Sequence, residues 1–277
     1  MQMAAWALRS LVVLLVSSAV TVDAFAPVEY LQSTWDSLVQ SDGIDKKTGC
    51  PKHKYQTHLL SEDPLVVYID NFISKEEAAH LVDLTEGQFR ESRLWSSDGV
   101  SDVDPSYRSS KTAYLERDNV IRCIEERARA FPYYTSKEGI FKPLVVQRYG
   151  VNNQYKDHYD WFHDGPSVEG NYESTFFVYI QANCTGGGTG FPRLDAPRDE
   201  KWCQFVDCNQ PWDAGVTFLP LLGNAIFWKN LESDGSGNTK TLHAGLPVTS
   251  GMKMGMNIWT FEKNEVIKKN AKPKKAA

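Results

Sequence analysis

The residues most able to do chemistry sit in QYKDHYDWFHD, where His158 and Asp160 stand two positions apart. In an extended chain, side chains i and i+2 leave on the same face, so an imidazole and a carboxylate would project side by side. A second imidazole, His243, lies far downstream in TLHAGLPVTSGMKMGMNIW. Two imidazoles and a carboxylate form the facial set that holds non-haem iron(II) and leaves positions open for small ligands. By itself a His-x-Asp pair reads more readily as structural; His243 and the residues after it give the pair its meaning. Lys253 comes after a turn rich in Gly245, Pro247 and Gly251. Two antiparallel strands joined there would bring His243 and Lys253 into one pocket. A lysine inside a β-barrel needs an anionic partner. A dicarboxylate would supply it, with its far carboxylate on Lys253 and a 2-oxo acid end on the metal. The alternative is a solvent-facing Lys253. Of the remaining histidines, His53 and His58 fall in a polar stretch, and His80 is expected on a helix surface.

These side chains need a scaffold, and its elements can be read in order. PLVVYID, from Pro64 to Asp70, is a β-branched run that reads as a strand. Ser74-Lys75-Glu76-Glu77 has the form of a capping box, and apolar residues at helical spacing follow it to about Phe89. Residues 96–110, rich in Ser, Asp and Gly, read as a mobile loop that could cover a site. A second amphipathic helix starts near Asp118 and carries Val120, Ile121, Ile124, Ala128 and Phe131. After Pro132 the chain turns to short β-rich runs: Leu144–Tyr149, Ser174–Gln181, Gly215–Pro220, Ala225–Lys229 and Met254–Phe261. Helices followed by many short strands predict an α+β chain whose site lies in a β-sandwich or barrel.

The 277-residue chain has a net charge of −5, which gives no reason to expect a nucleic-acid partner. Met1–Ser10, an apolar run from Leu11 to Val22 and small residues before Ala24 have the layout of a signal peptide over 1–24. The run is short for a membrane span, which needs about 20 residues; an uncleaved signal anchor is the alternative. An N-terminal arm is expected over 25–63, and a basic, disordered tail over 263–277. Five cysteines in an oxidising compartment allow two disulfides and one thiol. Cys123, on a predicted helix, is the expected odd one, with Cys50, Cys184, Cys203 and Cys208 left to pair in an order the sequence does not give. Asn183-Cys184-Thr185 fits an N-glycosylation acceptor.

Several motifs, in order, resemble the 2-oxoglutarate/iron(II) dioxygenases, and within them the prolyl 4-hydroxylase type. VVQRYGVNNQYKDHYDWFHD resembles the first ligand block, and STFFVYIQ the core strand after it. GGGTGFP is similar to the family's Gly-Gly-Glu-Thr-x-Phe-Pro, GNAIFW to its Gly-x-Ala-x-x-Phe-Trp, and LHAGLPVTSGMKMGMNIW to its distal block. The resemblance begins near residue 64. It implies a domain over 64–262 with a double-stranded β-helix (jelly-roll) core at about 141–262 and supporting N-terminal helices. It implies iron(II) held by His158, Asp160 and His243, and 2-oxoglutarate held by Lys253, Tyr149 and Thr175. Tyr155 and Trp259 would line the substrate side. The implied reaction consumes O2 and yields succinate and CO2 while hydroxylating peptidyl proline, with L-ascorbate as a further cofactor. The implied location is the endoplasmic reticulum lumen or outside the cell. Tyr172 stands where the family often has an arginine near the substrate, and Gly188 replaces the usual glutamate. Those departures keep open another peptide residue or a biosynthetic peptide as substrate. A non-catalytic secreted β-sandwich binding module is the remaining alternative.

Overall fold

The computed structural model describes residues 43–95, 101–162, 169–211 and 213–270. The expected signal peptide, the first part of the arm, residues 96–100 of the loop and the end of the tail lie outside the described residues. The strands in chain order are β1 (Gln56–Glu62), β2 (Leu65–Asp70), β3 (Arg90–Glu91), β4 (Leu94–Trp95), β5 (Ser101–Asp102), β6 (Lys111–Tyr114), β7 (Ile140–Phe141), β8 (Val145–Tyr149), β9 (Tyr155–His158), β10 (Gly170–Gly186), β11 (Thr189–Phe191), β12 (Val216–Phe218), β13 (Ala225–Lys229), β14 (His243–Gly245) and β15 (Val248–Lys263). The helices are α1 (Lys75–Leu84), α2 (Asn119–Arg129) and α3 (Asn264–Asn270).

A major sheet runs β1-β2-β13-β10-β15-β8-β6-β3, with β7 on β15, and a minor sheet runs β12-β11-β14-β9. The long antiparallel pair β10–β15 is the spine, with Thr175 opposite Trp259 and Ala182 opposite Lys253. Because side chains alternate across a strand, each long strand serves two cores. Phe176, Val178, Met254, Met256 and Ile258 face the helices and pack with Leu81 of α1 and Ile121, Ile124 and Ala128 of α2. Phe177 and Tyr179 face the other way and pack with Phe191, Phe218 and Trp228 between the sheets.

The capping box of α1 forms as its sequence suggests: Ser74 accepts from the Glu77 amide, and the Glu77 carboxylate accepts from the Ser74 amide. The helix stops earlier than Phe89. The Thr85 hydroxyl donates to the Val82 carbonyl at 2.6 Å, and Gly87 then adopts φ +70°. Asp118 caps α2 by accepting from the Ile121 amide. It also bonds the Nε2 of His80 at 2.6 Å. His80 is therefore not on the helix surface; it is 1% exposed and ties α1 to the cap of α2.

Three more expectations change. Residues 56–62, assigned to the arm, form β1 at the edge of the major sheet. Residues 264–270 of the expected disordered tail form α3. Cys123 is not the odd cysteine, because the disulfides are Cys50–Cys123 and Cys203–Cys208, which leaves Cys184. A cysteine on a helix can still be bridged when another segment packs beside that helix. Residues 43–51 do so, and the Arg122 guanidinium donates to the Thr48 carbonyl at 3.0 Å. The insert from Asp195 to Trp212 has a use that its sequence does not suggest. Its Trp202, Phe205 and Val206 fill the space between the two sheets, with Phe205 against Tyr68 at 4.4 Å.

Arg127 of α2 pairs with Glu77 of α1 at 2.7 Å and also donates to the Phe72 carbonyl. Both side chains are at least nine-tenths buried. Removing one member of such a pair strands the other charge, at about 3–5 kcal/mol. Arg127→Ala should lose that much in urea denaturation, far more than Arg90→Ala on the exposed strand β3.

Candidate active site

The minor sheet puts His158 at the end of β9 directly opposite His243 at the start of β14. Their ring centroids are 4.2 Å apart. Asp160 follows β9 in a bend, and its Oδ1 lies 3.9 Å from His158 Nε2 and 3.8 Å from His243 Nε2. One donor atom from each of the three residues lies within 4.8 Å of the others, so this set could hold a metal ion.

The hydrogen bonds around the three side chains match that use. His158 Nδ1 faces the Lys156 carbonyl at 2.8 Å, and His243 Nδ1 faces the Thr241 carbonyl at 2.9 Å. A carbonyl only accepts, so each Nδ1 carries a hydrogen, and Nε2 is the nitrogen of each ring that faces the other candidate ligands. Burial, and then His243 nearby, hold the His158 pKa well below its usual value, so the ring is the neutral species that a metal needs. The Oδ2 of Asp160 accepts from the Thr175 hydroxyl at 2.8 Å and from the Trp259 indole at 3.0 Å. That leaves Oδ1 as the ligand atom.

Lys253 lies within the sandwich, 0% exposed. Its Nζ donates to the Gly187 carbonyl and, at 3.5 Å, to that of Gly188, and it sits 4.7 Å from the centre of the Tyr149 ring. Tyr149 is its direct partner across β8 and β15. Gly187 must be glycine: at φ +68°, a Cβ would press on Val248 at 2.9 Å and on the Lys253 stem at 3.3 Å. Gly188 has no room for a glutamate side chain, because a Cβ there would stand 2.5 Å from the Thr217 methyl. On the same faces as Tyr149 and Lys253, the amide oxygens of Gln147 and Asn257 are buried with no hydrogen-bond partner among the described residues. A buried cation and orphaned amides beside a three-ligand cluster fit a small polar dicarboxylate next to a metal.

His243 and Lys253 share the interior, but not through a hairpin. β14 pairs with β9 and β11 in the minor sheet, and β15 pairs with β8 and β10 in the major one, so the two residues belong to facing sheets. The short turn Leu246–Pro247 crosses from one sheet to the other. Thr175, expected on the cosubstrate, and Trp259, expected on the substrate side, both donate a hydrogen bond to Asp160. Tyr155 stacks on His158 at 3.5 Å. Arg108 covers the Tyr155 ring at 4.3 Å. No spacing in the polar loop points to Arg108 in advance. That part of the loop is not free: the Ser109 amide donates to the Gln154 carbonyl, and the Lys156 amide to that of Tyr107. Tyr172 meets Phe162 at 5.4 Å and Trp259 at 5.5 Å, an aromatic wall where an arginine was the family expectation.

The sequence model of the 2OG-Fe(II) oxygenase superfamily matches residues 144–261, the stretch that carries every one of these ligand atoms. In sequence these residues are similar to a 2OG-Fe(II) oxygenase domain. The superfamily is named for oxygenases that use iron(II) and 2-oxoglutarate, and the match covers less than half of the chain. Among relatives, it is 25% identical over 213 residues to a probable prolyl 4-hydroxylase 7 of Arabidopsis thaliana, covering 74% of this chain and 65% of that one. It is 29% identical over 269 residues to the prolyl 4-hydroxylase subunit alpha-2 of Gallus gallus, covering 87% of this chain and 46% of that one. The chain therefore spans about two thirds of the plant relative and less than half of the avian one. The crystal structure of a viral collagen prolyl hydroxylase from Paramecium Bursaria Chlorella virus-1, in a 2OG complex, superposes with a TM-score of 0.52 at 24% identity. It covers 71% of this chain and 95% of that one, and supports the jelly-roll fold.

Burial lowers the Lys253 pKa from 10.5 to about 7 in the ligand-free protein. Between those values the unfolded chain holds a proton that the folded chain does not, so this residue makes stability rise with pH from about 7 to about 10.5. Urea denaturation of wild type and Lys253→Met between pH 6.5 and 9.5 should show that contribution as a slope present only in the wild type. Equal pH dependence of the two proteins would contradict the buried, unpaired ammonium.

Proposed function

We propose that the chain hydroxylates proline in a peptide, binding iron(II) through His158, Asp160 and His243. Lys253 holds the far carboxylate of 2-oxoglutarate, with Tyr149 beside it. The observation that carries this reading is the convergence of two imidazole Nε2 atoms and Asp160 Oδ1, with a buried lysine on the facing sheet. Bound iron with 2-oxoglutarate supplies the O2-driven oxidation of a substrate C–H bond. The protein's part is positional. Thr175 and Trp259 fix Asp160, the two backbone carbonyls fix the imidazole tautomers, and the dry interior strengthens every charge contact made there. Thr175 acts on the ligand more directly than on the cosubstrate.

The substrate reading rests on the relatives, which are named as prolyl and collagen prolyl hydroxylases. Tyr155, Trp259 and the neighbouring Tyr172 and Phe162 offer ring faces of the kind that proline-rich segments dock against. L-ascorbate belongs to the same reading as a further cofactor. So do an α+β domain over 64–262 supported by α1 and α2, and passage through the secretory pathway to the endoplasmic reticulum lumen or beyond. Two disulfides suit an oxidising compartment, and Asn183 of the acceptor triplet is exposed. Among the described residues, no helix is long and apolar enough to cross a membrane. No observation favours a non-catalytic binding module.

Anaerobic addition of iron(II) and 2-oxoglutarate should give a weak visible charge-transfer band in the wild type. His158→Ala should abolish it, and Lys253→Ala should weaken it by raising the 2-oxoglutarate concentration required. With O2 and a proline-rich peptide, the product should gain one oxygen atom in mass. A folded wild-type protein without the band would refute the site assignment, whereas a band without peptide oxidation would refute the substrate.

A further inference from the structure

Asn230 is 0% exposed and stands just past β13, away from the three ligand side chains. Its side chain is fully engaged in two directions. Its Oδ1 accepts from the Trp228 indole at 2.8 Å, and its Nδ2 donates to the Thr175 hydroxyl oxygen at 3.0 Å. Its backbone is pinned as well: its N–H donates to the Glu173 carbonyl, and its carbonyl accepts from the Asn238 amide. Trp228 lies directly opposite Thr175 across the β10–β13 pair and packs edge-on against His243 at 4.9 Å.

We propose that Asn230 is a positioning residue that sets the hydrogen-bond polarity at the metal site, making Asp160 a one-oxygen ligand. The inference deepens the assignment of His158, Asp160 and His243 as ligands and rests on it. Its logic is a chain of forced directions. An indole N–H can only donate, so Trp228 requires the oxygen of Asn230 on its side. The amide nitrogen must then face Thr175 and occupy a lone pair of its hydroxyl. The single hydroxyl hydrogen of Thr175 is left to point at Asp160 Oδ2, where the Trp259 indole donates too. With two donors on Oδ2, the carboxylate cannot turn that oxygen toward an ion without breaking both bonds, and Oδ1 stays free. The same Trp228 that orients the amide also packs on His243, so one arrangement steadies two of the three ligands.

Asn230→Asp keeps size and shape but replaces the donor facing Thr175 with an acceptor. The Thr175 hydroxyl would then donate to the new carboxylate and turn a lone pair toward Asp160. The probe is cobalt(II), titrated by its visible d–d absorption into the full chain without O2. Outer contacts of metal ligands are worth about 10- to 100-fold in affinity, so Asn230→Asp and Thr175→Val should each bind cobalt(II) that much more weakly. The double variant should bind no more weakly than Thr175→Val alone, because both changes break the same bond. Thr175→Ser keeps the hydroxyl and should bind as the wild type does. Wild-type affinity in folded Asn230→Asp, or additive losses in the double variant, would overturn the proposal. Should Asn230→Asp not fold, equal affinity of Thr175→Ser and Thr175→Val would overturn it instead. His243→Ala separates the two levels. If it binds cobalt(II) as the wild type does, the ligand assignment fails; if it loses the ion while Asn230→Asp retains it, only the positioning role fails.

Discussion

The pairing of β10 with β15 is the constraint on which the rest depends. These strands are 17 and 16 residues long, and their register sets Thr175 beside Trp259 and points Lys253 inward. With a side-chain period of two, a slip of one residue would turn Lys253 toward the helices and bring Met254 into the site. The apolar contacts of Met254, Met256 and Ile258 with α1 and α2 make that slip costly. The helices thus fix the direction of the lysine without touching it.

Charge is handled sparingly inside the sandwich. Each imidazole spends its Nδ1 hydrogen on a backbone carbonyl, burial disfavours a charge on His158, and Asp160 is the one acidic side chain of the cluster. Among the described residues, the Lys253 amine meets two carbonyl dipoles and the Tyr149 ring, with the Phe177 ring and the Cys184 thiol farther out. Such a site is short of anions, and an incoming dicarboxylate is the chemistry that relieves the shortage.

The three candidate ligands were legible because their residue types are rare in combination and their order matched a known arrangement. Lys253 was legible as a buried cation, and the capping residues Ser74 and Asp118 as helix starts. What escaped were features made by tertiary contact. The partner of Cys123 comes from a polar segment with no helix or strand signal, so only packing reveals it. His80 reads as surface until Asp118 is seen beside it. The expected hairpin from His243 to Lys253 does not form; a short turn joins strands of facing sheets, and both side chains are buried. Thr175 carries a family expectation toward the cosubstrate and Trp259 one toward the peptide substrate; that their polar atoms meet Asp160 is encoded by no spacing along the chain.

Two tryptophans frame the ligand cluster, Trp259 bonded to Asp160 and Trp228 packed on His243. An open-shell ion held by the proposed ligands would lie near both indoles and would quench their emission. The protein therefore carries its own optical gauge: the ultraviolet emission of two side chains that hold the site together would dim as the site fills, with no dye attached and no turnover required.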